Sequence, residues 1–304
     1  MDENEFILYD RLEKIRSVIN QYGEENFYLS FSGGKDSTVL HHLIDEAISG
    51  NKIPRVYADT GIEYNMVRDF VKELAEKDER IQIIKPSKNI RTTLEEFGYP
   101  FKSKMHAHFV DLYRNGLSLE SKTLKFYLNP DYIGKQNACP AKLTYQFDGW
   151  DGGFKISNKC CDKMKKEPLK QWMKEHKKTI SIIGIMREEG GQRSGALCLA
   201  FKGDKLKSFH PLSPITKEWE SWYIERNGIQ LSAIYYPPYN FQRTGCKGCP
   251  FAVELQQELD TLQLYFPKER EQCERIWAPV YSEYRRIGYR LKEKEQMSIY
   301  DVQH

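Results

Sequence analysis

The stretch YLSFSGGKDSTVLHHL, Tyr28–Leu43, sets an apolar run, two glycines, a lysine and an aspartate in an order that suits an anion site. Ser32, Gly33 and Gly34 can turn the backbone tightly, because glycine accepts positive φ and leaves the amides open to an approaching anion. A helix starting here adds unpaired N–H groups and the positive end of its dipole. Ser32 and Ser37 offer hydroxyls, and Lys35 a fixed positive charge. Asp36 would repel a bare phosphate, so it suits holding Mg²⁺ or capping the helix. The Walker pattern is excluded: Asp36 stands where it needs Ser or Thr. An ordinary strand–turn–helix junction is the bland alternative, but the complete SGGKDS favours nucleotide binding.

The second constellation is sulfur. Of seven cysteines, Cys160 and Cys161 are adjacent in NKCCDKMK, and Cys246 and Cys249 form a CxxC in RTGCKGCPF, with 84 positions between the pairs. Zinc sites more often use two CxxC-type pairs, each of which can bend both sulfurs to one ion. Adjacent cysteines fit one tetrahedral ion poorly, whereas an iron–sulfur cubane offers separate irons to separate thiolates. Gly245 and Gly248 open the turn around the second pair and Pro250 follows it. Zinc, free thiols and a disulfide are the alternatives. Cys198, in ALCLAF, reads as core; Cys139 and Cys273 have no assigned role.

Further polar residues fall just after apolar runs. Asp59 is placed to accept from a ribose hydroxyl or to bind Mg²⁺, or else simply forms a turn. Arg187 and Arg193 suit oxyanions, since a guanidinium donates two parallel hydrogen bonds; the alternative is a surface ion pair with Glu188 or Glu189. Residues 155–178 hold nine lysines against three acids. They would attract an anionic chain, or form a solvated helix face. Trp172 and IYYPPYNF (234–241) can stack on bases or pack around a cluster. His106 and His108 look like a ligand pair, but with no third candidate nearby they read as surface histidines.

The elements that must position these residues alternate. Residues 27–32, 53–59, 81–87 and 179–186 read as strands, and Thr38–Ile48 and Val67–Ala75 as helices ending near Gly50 and beyond Ala75. The alternation predicts an α/β fold with a doubly wound parallel sheet covered on both faces. Ser32–Ser37, Asp59–Gly61 and Arg187–Arg193 all follow strands, where such sheets bind ligands. The predicted organisation is a nucleotide-binding domain over 1–215, interrupted by an insertion at 88–178, and a smaller helical and loop portion over 216–304. The composition, 304 residues with 40% hydrophobic and 29% charged, mean hydropathy −0.67 and net charge +3, suits a soluble protein. The acidic start MDENEFILYD lacks the order of a signal peptide. A cytoplasmic place and no membrane association are expected.

SGGKDS resembles the PP-loop of the ATP pyrophosphatase superfamily. ADTGIEY (58–64), GIMREEGGQR (184–193) and HPLSPITKEW (210–219) resemble segments of its sulfonucleotide (PAPS/APS) reductase branch. The resemblance runs over about residues 25–255, with 88–150 poorly covered. It implies ATP cleavage between the α- and β-phosphates, with Lys35, Asp36 and Arg187 catalytic. Ser32, Gly33, Gly34, Ser37, Asp59, Gly184 and Arg193 would join them in holding ATP and Mg²⁺. The CC…CxxC layout is similar to that of iron–sulfur APS reductases and implies a 4Fe–4S cluster on Cys160, Cys161, Cys246 and Cys249.

The pattern also departs from the reductases. They resemble one another in a C-terminal Glu–Cys–Gly–Leu–His segment and a degraded PP-loop. Here the loop is intact, the sequence ends EKEQMSIYDVQH, and Cys273 lies in REQCERIW. The expectation is therefore an ATP-using enzyme of sulfur transfer, like the DNA phosphorothioation and tRNA thiolation branches. Its partners would be a nucleic-acid acceptor and a sulfur-donor protein such as a cysteine desulfurase. A sulfonucleotide reductase releasing sulfite and a non-catalytic nucleotide-sensing subunit are the alternatives.

Overall fold

The computed structural model describes residues 2–132, 135, 138–190 and 194–292. The chain divides into two compact units, Met1–Ser87 with Lys165–Gly245, and Lys88–Met164 with Cys246–His304.

The first unit is an α/β layer structure around a six-stranded sheet of order β3-β2-β1-β4-β6-β5. Its strands are β1 (Phe27–Phe31), β2 (Arg55–Ala58), β3 (Ile81–Ile84), β4 (Ile180–Ile182), β5 (Leu199–Lys202) and β6 (Lys205–Phe209). β1 pairs in parallel with β2 and β4, β2 with β3, and β4 with β6. The expected parallel sheet thus holds for five strands. The sixth corrects it: β5 runs antiparallel to β6. The two are joined by the two-residue turn Gly203–Asp204, where Gly203 takes φ +59, a conformation that tight hairpins require.

β1 is apolar almost throughout because both its faces are covered. Phe27, Leu29 and Phe31 join one large core with Leu8, Leu12, Ile15, Val18 and Ile19 of α1 (Glu3–Tyr22) and Val39, Leu40, Leu43 and Ile44 of α2 (Lys35–Ala47). Trp219 and Tyr223 of α8 (Lys217–Asn227) belong to the same core. On the other face Tyr28 and Val56 pack with Trp172 of α7 (Glu167–Glu175), whose indole N–H donates to Gln82 Oε1 at 2.9 Å. α3 (Asn65–Lys77) follows β2. Cys198 is half-buried against the large core, close to its expected place.

The buried Arg55 of β2 is fully bonded inside this unit. Its guanidinium donates to Asp45 Oδ1 and Asn51 Oδ1, both at 2.7 Å, and to His41 Nδ1 at 3.1 Å.

The second unit contains α4 (Ile90–Phe97), α5 (Lys104–Arg114), α6 (Lys122–Leu128), α9 (Leu255–Tyr265), α10 (Pro267–Ile276) and α11 (Ala278–Arg286). Asn89, Ser103 and Ser121 cap the first three, each side chain accepting an N–H from the first turn. His106, read from sequence as a surface residue, is wholly buried. Its Nδ1 meets Tyr127 OH at 2.8 Å and its Nε2 meets Gln146 Oε1 at 2.7 Å. A helical period places 106 on the inner face of α5 and leaves His108 exposed, so the two cannot share a ligand. Among the described residues no helix is long and apolar enough to cross a membrane.

Candidate functional site

The strand order makes the site. The chain leaves β1 toward β2 and β3, then returns to β4 on the other side of β1. Loops from β1 and β4 therefore diverge, leaving a crevice at the carboxyl ends of the strands. Ser32–Ser37 follows β1, Asp59 follows β2, and Gly184 and Arg187 follow β4.

The loop after β1 is built by glycine. Gly33 takes φ +68, and a Cβ there would stand 2.4 Å from Val71 Cγ2 and 3.0 Å from Val67 Cγ1. Both the conformation and the closeness of α3 exclude a side chain. Gly34 caps α2 without a side-chain bond of its own, and the Gly34 and Lys35 amides donate to Ser32 Oγ at 3.3 Å and Tyr235 OH at 3.1 Å. Ser37 is buried and works within the loop: its hydroxyl donates to Gly34 O at 2.9 Å and lies 3.0 Å from Ser32 Oγ. Thr38 Oγ1 reaches the same carbonyl at 3.0 Å. Lys35 and Asp36 stand in the first turn of α2.

Two neighbouring segments shape the crevice. Gly184 lies against the backbone of Asp36. Asp59 accepts from Gly61 N at 3.1 Å, forming the turn after β2. Next to it, the buried Glu63 accepts from Thr60 N and Oγ1, at 3.1 and 2.7 Å, and pairs with Lys165 at 3.3 Å. Arg187 is exposed, anchored by its Nε on Ala196 O at 2.9 Å and by its amide on Ser213 O at 3.1 Å. Glu188 accepts from Lys217 N at 2.6 Å, at the start of α8. Arg193 lies outside the described residues.

The sequence reading singled out the aromatic run 234–241 without placing it at this loop, and it missed Thr244. Tyr235 OH accepts from Lys35 N at 3.1 Å and meets Thr244 Oγ1 at 2.6 Å. Phe241 packs edge-on against Tyr64, with ring centroids 5.0 Å apart. The run 234–241 thus borders the nucleotide loop. Its aromatic composition was visible in sequence; its long-range register was not.

The four candidate cysteine ligands all fall in the second unit. A hydrogen bond with Cys161 and burial raise the Cys160 thiol, and Cys249 and Cys246 add to it. Burial raises Cys249, with Cys246 next, and its sulfur accepts from Phe251 N–H. A cation bound among deprotonated cysteines would offset their mutual repulsion. Four cysteine thiols are the donor chemistry that an iron–sulfur cluster takes. Among the described residues no three His, Cys, Asp or Glu side chains are grouped to hold a single metal ion.

The CxxC turn is held from behind. Trp277 Nε1 donates to Lys247 O at 3.1 Å, Tyr281 OH to Gly248 O, and Tyr284 OH to Pro250 O at 2.9 Å. Glu258 accepts from Gly248 N at 2.6 Å, and the buried Lys247 pairs with Glu269 at 2.8 Å. Gly248 takes φ +60, and a Cβ there would stand 2.8 Å from Cys273 Sγ. Cys273 thus packs under the turn, its thiol pushed up to about 12 by burial. Cys139 is buried, and burial pushes its thiol up to about 11.

After Cys161 the chain forms a π-helical turn, Asp162–Lys166, and enters α7. Lys163 Nζ stands 4.5 Å from the Phe97 ring centre. Lys166, Lys170 and Lys174 are exposed at four-residue spacing, on one side of a helix.

The family described as phosphoadenosine phosphosulfate reductase domain matches residues 26–115 and 104–252. The uncharacterized protein MJ0973 of Methanocaldococcus jannaschii is 27% identical over 262 residues, which cover 81% of this chain and 49% of that protein. The chain thus spans about half the length of the curated relative it matches. Among solved structures, the phosphoadenylyl-sulfate (PAPS) reductase of Candida auris, as a phosphate complex, is 12% identical with TM-score 0.40, over 73% of this chain and 88% of that one. The U34-tRNA thiolase NcsA of Methanococcus maripaludis, with its 4Fe–4S cluster, is 15% identical with TM-score 0.41, over 99% of this chain and 86% of that one. With the family match running through both the nucleotide loop and the CxxC turn, the chain belongs to the phosphoadenosine phosphosulfate reductase domain family.

Proposed function

We propose that this chain is an ATP-using PP-loop enzyme that adenylates an acceptor for sulfur transfer. The observation that carries the reading is the intact SGGKDS loop, turned by glycine at φ +68 onto the N-terminus of α2. That geometry presents amides and Lys35 to a pyrophosphate, which a sulfonucleotide does not have. An acceptor oxygen attacks the α-phosphorus, the bond to the β-phosphate oxygen breaks, and pyrophosphate leaves. Lys35 and the amides of Gly33 and Gly34 neutralise the leaving charge. Ser32 and Ser37 shape their loop. Asp36 holds Mg²⁺, Asp59 takes a ribose hydroxyl or the same ion, and Gly184 leaves room for Asp36. Arg187, with Arg193, stabilises the charge developing on the α-phosphate.

Cys160, Cys161, Cys246 and Cys249 would hold a 4Fe–4S cluster. When bound, it would supply a redox-active iron–sulfur centre to the sulfur-transfer stage. The acceptor is a nucleic acid: Lys166, Lys170 and Lys174 offer a cationic stripe for a phosphate backbone. A sulfur-donor protein, of the cysteine desulfurase kind, supplies the sulfur. A second reading, sulfonucleotide reduction with release of sulfite, is favoured by the family's own description.

The test is anaerobic incubation with ATP–Mg²⁺ and RNA or DNA, and in parallel with PAPS and APS, followed by mass analysis. The expected products are AMP and pyrophosphate, lost in Lys35→Ala. Sulfite from PAPS or APS without pyrophosphate from ATP would replace this reading with the second.

A further inference from the structure

The first N–H groups of a helix have no intrahelical acceptor, which is why they bind anions. In α2 one of them is already taken. The Lys35 amide donates to the hydroxyl of Tyr235 at 3.1 Å. The tyrosine oxygen is held there by Thr244 Oγ1 at 2.6 Å. Gly34 shows how close the pair lies: a Cβ at 34 would stand 3.3 Å from Tyr235 OH and 3.2 Å from Thr244 Oγ1. Lys35 Nζ lies 5.9 Å from the centre of the Tyr235 ring. Tyr235 itself ends a 3-10 turn, Ala233–Tyr235, whose amide returns to Ser232 O at 3.1 Å.

We infer that Tyr235 and Thr244 belong to the nucleotide site, with the Tyr235 hydroxyl as the placeholder of a phosphate oxygen that a bound nucleotide must displace from the Lys35 amide. The inference rests on the reading of 32–37 as a nucleotide loop. Its physical logic is an exchange of acceptors. A neutral hydroxyl occupies a donor at the positive end of a helix, where an anion interacts more strongly. The tyrosine therefore satisfies the amide when the site is empty and yields it to phosphate. Its presence weakens phosphate binding by the strength of the contact it must give up. It leaves the binding of an unphosphorylated nucleoside unchanged.

The experiment is calorimetric titration of the full chain with ATP–Mg²⁺, with pyrophosphate–Mg²⁺ and with adenosine, comparing wild type, Tyr235→Phe and Thr244→Val. Removing one competing hydrogen bond should tighten ATP and pyrophosphate binding about three- to tenfold in Tyr235→Phe. Thr244→Val, which releases the hydroxyl without removing it, should tighten both by a smaller factor. Adenosine affinity should not change. Equal or weaker ATP and pyrophosphate binding in Tyr235→Phe, at an unchanged melting temperature, overturns the inference. If Tyr235→Phe does not fold, equal or weaker binding in Thr244→Val overturns it. No ATP or pyrophosphate binding by any of the three proteins instead removes the nucleotide reading itself.

Discussion

Gly184 meets the backbone of Asp36 so closely that a Cβ at position 184 would stand 3.2 Å from the Asp36 carbonyl carbon, its oxygen and its Cβ. The end of β4 thus sets the position of the residue in the nucleotide loop that would hold Mg²⁺. A methyl group there must push Asp36 aside by a few tenths of an ångström. Core overpacking of this size costs about 1–3 kcal/mol, and here it falls on a site residue. Gly184→Ala should therefore lower ATP–Mg²⁺ affinity by roughly tenfold, the equivalent of about 1.4 kcal/mol, while the melting temperature falls only slightly. Titration calorimetry and thermal melts measure both. Wild-type affinity in the variant would show that the contact does not position the loop.

How much of this was legible in sequence depended on the range of the interaction. β1, β2, β3 and β4 were readable as short, mostly apolar runs; β1 and β2 are buried along most of their length, while the edge strand β3 leaves Ile83 exposed. The shape of the glycine loop was readable because its geometry is local: Gly33 takes positive φ, and α2 begins two residues later. Helix α1 carries an apolar face in Leu8, Leu12, Ile15 and Ile19, a helical spacing present in the sequence although its acidic first turn masks it. The β5–β6 hairpin announces itself only in the Gly203–Asp204 turn. Tyr235 and Thr244 reach the loop across 200 residues in the case of the Lys35–Tyr235 bond, and no local pattern encodes that. The same holds for His106, whose burial follows from partners at 127 and 146, and for the joining of 88–164 to 246–304.

Two buried histidines should make the fold sensitive to mild acid. Burial lowers His106 from 6.5 to about 4, against the opposing pull of its bond to Gln146. Burial, with Arg55 next, lowers His41 from 6.5 to about 4. In both, the native pKa lies below the unfolded one, so the unfolded chain takes up protons first as pH falls. Their effect is absent above about pH 7 and grows as pH drops from 6.5 to 4, reducing stability. For the wholly buried His106 the loss approaches roughly 3 kcal/mol. Urea unfolding at pH 7 and pH 4.5 should show the drop, and His106→Gln, which cannot charge, should show a smaller one. An equal drop in the variant would mean that His106 titrates normally in the native protein.

The cysteine assignment makes the last prediction, and iron content rather than turnover decides it. Protein purified without oxygen should hold about four irons per chain, the number that four thiolates of one cubane imply. Serine at Cys160, Cys161, Cys246 or Cys249 should each lower that content, because each removes one of the four proposed ligands. Serine at Cys198 should not, since Cys198 packs against the core of the first unit. Serine at Cys273 should not either: that thiol lies beneath Gly248 as packing, and serine nearly preserves its volume. Tyr281→Phe gives an intermediate case. It leaves all four thiols in place but frees the Gly248 carbonyl in the middle of the turn, so iron should load yet be lost faster to a chelator. Iron lost in the four ligand variants but kept in the Cys198 and Cys273 variants separates a cluster from adventitious binding to thiols. Stoichiometric zinc in protein never exposed to air, or undiminished iron in Cys246→Ser and Cys249→Ser, would remove the cluster from the mechanism.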